Sequence, residues 1–447
     1  MKPIAFRLLA ISSAALLLIS AAFARTRPRY GDPLRVQFRE VVPEYEGAPD
    51  LLVGPVFETL VTIHDNGRLQ PGLALRWTTP DNGSRWDFTL RTGVQFHDGT
   101  PLSAAKLSQV PVPGCKLLLS SIAMMYQCDS PRPNLPSILS QPEYAVILTS
   151  GNDVFGTGPF RIETRTPGTI SLKAFDNYWG GRPYLDTLEI KTGRNSRDQL
   201  NDFSFDHVDV VELAADMLRR LQQERMRVEL SRPSVTLLLV FNSKKTELGD
   251  LRIRQAISLA IDRGSIHSVI FQRQGEVAGS LLPNWLTGYA FLFPTAPDQA
   301  KARDLLKQAG RPPAITIGYD PTESVQRLIA ERVALNLRDV GIAGSAVASN
   351  SADLRIETVS VSSLNPAVAL NALVEKLSIM QPFTSDNIES LYSNERTALQ
   401  TYSAIPLVHI PKVTALKERV RNFDPSPAGQ WRFADVWLAP RTTGGKP

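Results

Sequence analysis

Cysteine is nearly absent: Cys115 and Cys128 are the only two in 447 residues. Neither has a histidine or a further cysteine at ligand spacing, which excludes a zinc framework of clustered thiolates. Histidine is scarce too. The five histidines, His64, His97, His207, His267 and His409, form no H-E-x-x-H pair, so a zinc-peptidase helix is excluded as well. An excess of one charge is also missing. The net charge of +5 is small and dispersed, which is not the footprint of a nucleic-acid binder. The apolar run from Leu8 to Ile19 falls short of the ~18 residues that a membrane-spanning helix needs. Internal repeats and low-complexity segments are lacking, which removes repeat arrays from consideration.

What is present is ordinary in bulk. With 43% hydrophobic and 21% charged residues the chain is globular, and its length calls for two or three lobes rather than one core. The first 24 residues read as a cleavable export signal: Lys2 and Arg7, the apolar run, then Ala22-Phe23-Ala24 before Arg25. Removing Lys2 and Arg7 with it lowers the net charge from +5 to +3. In an oxidising compartment Cys115 and Cys128 are candidates for a disulfide, two buried free thiols being the alternative. No cofactor is called for.

The most informative stretch is Ser234 to Arg263. Val235 to Phe241 is a continuous apolar run of strand length, the pattern of a strand covered on both faces. A polar turn follows, then a helical stripe of Leu251, Ile253, Ile257, Ala260 and Ile261. Upstream, Leu34 to Phe38 alternates as a first strand, and Leu51 to Leu60 has the spacing of a short helix. Strands at Leu60–Ile63, Leu73–Thr78 and Arg85–Leu90 are separated by the turns His64-Asp65-Asn66-Gly67 and Pro80-Asp81-Asn82-Gly83. Residues 108–150 are proline-rich, and only Lys116 to Met125 has helical character. Downstream, helices are expected over Asp298–Ala309, Glu323–Val340, Ala367–Ile379 and Asn394–Ser403. Strands are expected over Leu354–Val361 and Ile405–Ile410, and strand-like alternation over Trp431–Leu438.

Five collinear stretches carry a resemblance. They are VFETLVTIHDNGRLQPGLALRW (56–77), WDFTLRTGVQFHDGTPLSA (86–104), GTGPFRI with DNYWGGRPYLDTLEI (156–162 and 176–190), FNSKKTELGDLRIRQAISLAIDR (241–263) and QAKARDLLKQAG (299–310). Together they resemble family 5 of the bacterial extracellular solute-binding proteins, the binding components of oligopeptide, dipeptide and nickel ABC importers. The resemblance implies an α/β fold of the periplasmic-binding-protein type (type II, Venus-flytrap), with two main mixed α/β lobes and a reduced inserted lobe II. Lobe I would comprise 25–55, 150–234 and 405–447, lobe II 56–149 with an antiparallel meander, and lobe III 235–404. The implied protein is a periplasmic monomer that captures a peptide or other small solute between its lobes and delivers it to an inner-membrane ABC permease.

By the same resemblance the candidate ligand contacts are Arg39, Glu40 and Tyr45 after the first strand, Val359 and Ser362 after the later one, and His409. His409 either faces the cleft or packs beneath it. Peptide-binding relatives carry a Trp-x-x-Asp element whose acid pairs with the peptide's α-amino group. At those positions this chain has Val359 and Ser362, and a neutral hydroxyl cannot offset desolvation of an ammonium as a carboxylate does. That favours a solute less dependent on an α-amino group.

Other readings compete. Ser103-Ala-Ala-Lys106, Lys191-Thr192-Gly193 and Ser385-Asp386-Asn387 are the three motifs of penicillin-recognising serine enzymes, but K-T-G comes before S-D-N here and should come last. Ser103 also suffices as a helix cap. Asp202, Asp206 and Asp209 suggest calcium, or else a helix-to-strand passage. Trp77, Trp86 and Trp179 fit core packing better than ligand stacking. A degenerate paralogue serving as a sensor or assembly partner is the remaining alternative.

Overall fold

The computed structural model describes residues 27–42, 49–107, 111–119, 123–151, 153–245, 248–310, 313–383 and 387–440. A large mixed sheet organises it, in the order Phe160–Thr166, Thr169–Ala174, Thr187–Lys191, Pro33–Gln37, Val210–Leu213, Ala404–Leu416, Arg227–Phe241, Leu354–Ser360, Ile315–Gly318, Gly344–Val347. Glu276–Val277 pairs with Ala404–Leu416 off this path.

Two long strands run through the middle, antiparallel from Arg227 opposite Leu416 to Val240 opposite Ala404. Part-way along, Pro233 faces Pro411, and the register slips on both sides of that pair. Proline has no N–H, so the ladder is broken where the two meet. Serine side chains take over some of the bonding: Ser231 Oγ accepts from Lys412 N at 2.8 Å, and Ser234 Oγ donates to Ala428 O at 3.1 Å. Beyond this crossing Val235–Phe241 is flanked by Leu354–Ser360 on one side and Ala404–Ile410 on the other. All seven of its residues are buried, which is why the run is apolar without alternation.

The two faces of the sheet are covered differently. Leu237, Leu239 and Phe241 point to one face and Leu238 and Val240 to the other. On the first face the helices Ser196–Ser204, Leu251–Ala260, Gln299–Ala309 and Ser324–Asp339 share one core: Leu200, Phe203 and Leu221 join Ile257, Val333 and Leu337. Apolar packing is therefore continuous past the crossing. On the other face there are two separate cores. One gathers Leu34, Val36, Phe160, Leu188, Trp431 and Phe433, and the other Leu238, Val240, Leu370, Leu373 and Leu399. A further core belongs to a four-stranded antiparallel sheet, in the order Ala74–Thr78, Arg85–Leu90, Ala123–Cys128, Cys115–Leu119, and is centred on Phe88, Met124 and Tyr126.

Three expectations need correction. Lys116–Met125 is not a helix but most of a hairpin, Cys115–Leu119 with Ala123–Cys128. Its second strand buries Met124, Tyr126 and Cys128, a period of two that the apolar Leu and Met residues obscured. Cys115 stands opposite Cys128 and the two are disulfide-bonded. Leu51–Leu60 forms only the single turn Asp50–Leu52, because Gly54 takes a φ of 97° and Pro55 follows it. Of Trp431–Leu438 only Trp437–Leu438 is a strand, paired with Val420–Arg421, while Trp431 and Phe433 fill a core. Among the described residues no helix is long and apolar enough to cross a membrane.

Candidate functional site

Where the two separate cores and the four-stranded unit approach one another they leave a cavity of about 1050 Å³. Its floor is the crossing itself. Phe38 and Glu40 follow the end of Pro33–Gln37, and Glu212 lies in the neighbouring parallel strand. Crevices at the carboxyl ends of parallel strands are where α/β sheets place ligands. The backbone there is fixed: Gly193 N donates to Glu40 O at 2.8 Å, and Arg39 N donates to Glu212 Oε2 at 3.1 Å. Lys412 stands beside Pro411 at the crossing and also lines the cavity. The other walls come from Asp50–Pro55, from Glu58–Ile63, and from Thr358–Ser362 with the end of the Pro366–Lys376 helix.

The electrostatics of the cavity are mixed. Burial pushes the carboxyls of Glu40 and Asp50 above the usual range, and the charges of Lys412 and Lys376 pull both back. No hydrogen bond or ion pair ties the Glu40, Asp50, Lys376 or Lys412 side chain to another among the described residues. Glu58 differs. Burial raises its carboxyl too, but it accepts from Thr157 Oγ1, Tyr178 Oη and Trp179 Nε1 at 2.8, 3.0 and 2.9 Å. It is a structural tie, and Trp179 is packed rather than offered to a ligand, with Arg91 4.2 Å over its ring.

The candidate contacts divide. Glu40, Val359 and Ser362 line the cavity, and the Ser362 hydroxyl is buried without a hydrogen-bond partner among the described residues. Arg39 turns away: its guanidinium pairs with Glu323 at the start of the Ser324–Asp339 helix. His409 is a correction. It is 0% exposed, with Nδ1 3.0 Å from Thr236 Oγ1, and burial lowers its pKa to about 3, so it is a neutral core residue. The cause is the two-sided cover of its strand, which no local pattern around an isolated histidine reveals. Tyr45 lies outside the described residues. Asp50, Glu212, Lys376 and Lys412 were not foreseen. Only Lys412 left a signal, as the one charge in the apolar run IPLVHIPKV.

The competing motifs are accounted for. Asp209 is held by Arg35 and Arg419, Asp202 accepts from Gln37 and Arg194, and Asp206 pairs with Lys417; each aspartate has a protein partner. No group of three or more metal-ligating side chains occurs among the described residues. Ser103 precedes a short turn in the four-stranded unit, whereas Lys191 ends a strand of the large sheet. Asn387 uses its side chain to cap the Ile388–Gln400 helix, and Ser385 and Asp386 lie outside the described residues.

Comparison with known proteins settles the family. The model of the bacterial extracellular solute-binding proteins, family 5 (middle part), matches residues 68–107 and 125–397, well over half of the chain. This chain belongs to that family. The dipeptide-binding protein of Escherichia coli is 25% identical over 334 residues, covering 61% of this chain and 62% of that relative. The chain thus matches less than two thirds of that relative's length. Two solved structures share the fold at a TM-score of 0.78. NikA from Staphylococcus aureus, in complex with Ni(L-His)2, is 17% identical and covers 91% of this chain and 100% of its own. The dipeptide-binding protein from Pseudoalteromonas sp. SM9913, in complex with Met-Leu, has the same identity and coverage. These relatives are binding proteins, and the type II periplasmic-binding fold expected from the sequence is the one observed.

Proposed function

We propose that this family 5 protein is the periplasmic substrate-binding component of an ABC importer, exported by a leader ending near Ala24-Arg25, and that it acts as a monomer without catalysing a reaction. Its solute, a peptide or peptide-like molecule, occupies the cavity over the crossing. The observation that carries this reading is the cavity's construction: its walls come from separately packed cores that share a floor of two broken strands. A solute touching opposite walls favours their approach by its differential affinity for the closed arrangement, and a permease can read that arrangement as occupancy. The lobes expected from the sequence, 25–55 with 150–234 and 405–447, then 56–149, then 235–404, are the units that would move.

A thermal-shift screen of the mature protein against dipeptides, tripeptides, sugars and metal–histidine complexes tests the proposal. A true solute at one hundredfold over its dissociation constant should stabilise the protein by about 2.7 kcal/mol. If no solute in the panel raises the melting temperature while a membrane or sensor protein co-purifies, the transport reading fails.

A further inference from the structure

On the face with two separate cores, the crossing receives hydrogen bonds from both of them. Arg232 N donates to Pro427 O at 3.1 Å, and Ser234 Oγ donates to Ala428 O at 3.1 Å. Those acceptors stand just before Trp431 and Phe433, which belong to the core of Leu34 and Leu188. Pro233, between them, is bonded from elsewhere: its carbonyl accepts from Trp285 Nε1 at 2.8 Å. Pro411, the residue opposite Pro233 in the ladder, has no N–H to give. The indole thus supplies a bond that this partner cannot.

Trp285 comes from the other core. It lies in the single turn Asn284–Thr287, within a segment tied to the Val235–Phe241 side of the crossing at several points. Ala278 N donates to Leu407 O at 3.1 Å, and Leu281 O accepts from Thr236 Oγ1 at 3.0 Å. Leu282 N donates to Glu395 Oε1 at 2.9 Å, and Tyr289 Oη donates to the same carboxylate. Leu281 and Leu282 belong to the core of Leu238 and Leu373, and Leu286 and Tyr289 pack against it. The Trp285 ring also carries the Arg232 guanidinium, 5.3 Å from its centroid, a cation–π contact. One side chain therefore grips two consecutive residues of the crossing. It is only partly buried, and its one polar atom is committed to Pro233.

We propose that Trp285 is a positioning residue for closure of the cavity: its indole N–H braces the crossing at Pro233 and limits how the two sides turn relative to each other. This rests on the relative motion that the binding role given above requires. A ladder interrupted by two opposed prolines has few bonds of its own to resist bending or twisting. The indole bond and the Arg232 contact restrict that freedom, so the two sides keep one relative arrangement until a solute draws them together. The bond is directional and fails once donor and acceptor part beyond about 3.5 Å. It therefore restrains small rotations that apolar contacts would tolerate.

The test reads the distance between the two sides of the mature full-length protein with no solute added. Spin labels go on Thr169→Cys, at the start of Thr169–Ala174, and on Gln308→Cys, in the Gln299–Ala309 helix, both exposed positions. Cys115 and Cys128 are bonded to each other and take no label. Double electron–electron resonance gives the distance distribution. Trp285→Phe keeps a ring and loses the N–H. It should raise the share of molecules outside the wild-type distance range about fivefold, the population change that one lost hydrogen bond allows. Arg232→Gln should act in the same direction by less. Trp86→Phe is the matched control, because Trp86 Nε1 donates to Arg132 O at 3.0 Å inside the four-stranded unit. It should lower the melting temperature at least as much and leave the distribution unchanged. Circular dichroism melting confirms that each variant folds. An unchanged distribution in Trp285→Phe, or an equal change in Trp86→Phe, overturns the proposal. Because no solute takes part, a failed solute screen leaves a positive result standing, and an unbraced crossing leaves the binding role standing.

Discussion

The two faces of the large sheet have the same strands and opposite designs. On one face Leu200, Leu221, Ile257 and Leu337 belong to a single core, so packing runs without interruption from one side of the Pro233–Pro411 crossing to the other. On the other face the Trp431 core and the Leu373 core stop short of each other, and the cavity fills the interval. A continuous core resists separation because apolar area would be exposed to water. An open gap lined by polar and apolar groups alike has no such cohesion. Under the proposed function the first face would serve as a spine on which the second opens and closes, with two opposed prolines interrupting the ladder between.

The sharpest way to break this comparison is to delete the same side chain on each face. Leu337 is fully enclosed on the spine, whereas Leu373 borders the cavity. Leu337→Ala should cost about 3–5 kcal/mol of stability and Leu373→Ala nearer 2, since only the former leaves a new void in close-packed surroundings. Urea denaturation measures both, and equal costs would mean that the two faces are packed alike.

A second contrast is in acid–base behaviour. Behind the cavity Glu395 is buried, accepts from Leu282 N at 2.9 Å and from Tyr289 Oη, and is pushed up to about 7 by burial. A carboxyl raised in the folded state contributes stability that is complete below its unfolded pKa and is lost as pH rises through about 7. Glu395→Gln should therefore flatten stability between pH 4.5 and pH 7, by a few kcal/mol at about 1.4 per pKa unit. His409 works in the opposite direction. Lowered to about 3, it contributes stability that is present above its unfolded pKa and lost as pH falls, so the two groups partly cancel until one is removed.

The smallest effect is expected at the seam of the cleft. Asn365 caps the Pro366–Lys376 helix through Oδ1 and donates from Nδ2 to Ser137 Oγ of the four-stranded unit at 3.1 Å. Ser137→Ala, or Asn365→Ser, which keeps a capping hydroxyl, should cost about 1 kcal/mol. The loss should appear as faster amide exchange of residues 361–365, with the spine helices unchanged. A matching loss in the spine would show that the seam is part of one rigid body.

Much of the fold could be read from local pattern. Val235–Phe241 and the stripe from Leu251 to Ile261 announced a two-sided strand and a spine helix, because burial there is decided by the segment's own periodicity. The Cys115–Cys128 hairpin was misread, because leucines and methionines suit a helix as well as a strand and the deciding partner, Arg85–Leu90, lies elsewhere in the chain. The site was less legible. Glu40, Asp50, Glu212, Lys376 and Lys412 are scattered singly, and only the fold makes them neighbours. The opposition of Pro233 to Pro411 is invisible for the same reason.

Native-state hydrogen exchange of the mature protein tests the spine and cleft most directly. Amides of Leu251–Ala260 and Ser324–Asp339 should exchange only by global unfolding, while those of 361–365 and the hairpin of Val61–Ile63 with Leu69–Pro71 should exchange through a smaller opening. One common opening free energy for both sets, or spine helices that exchange first, would contradict the account.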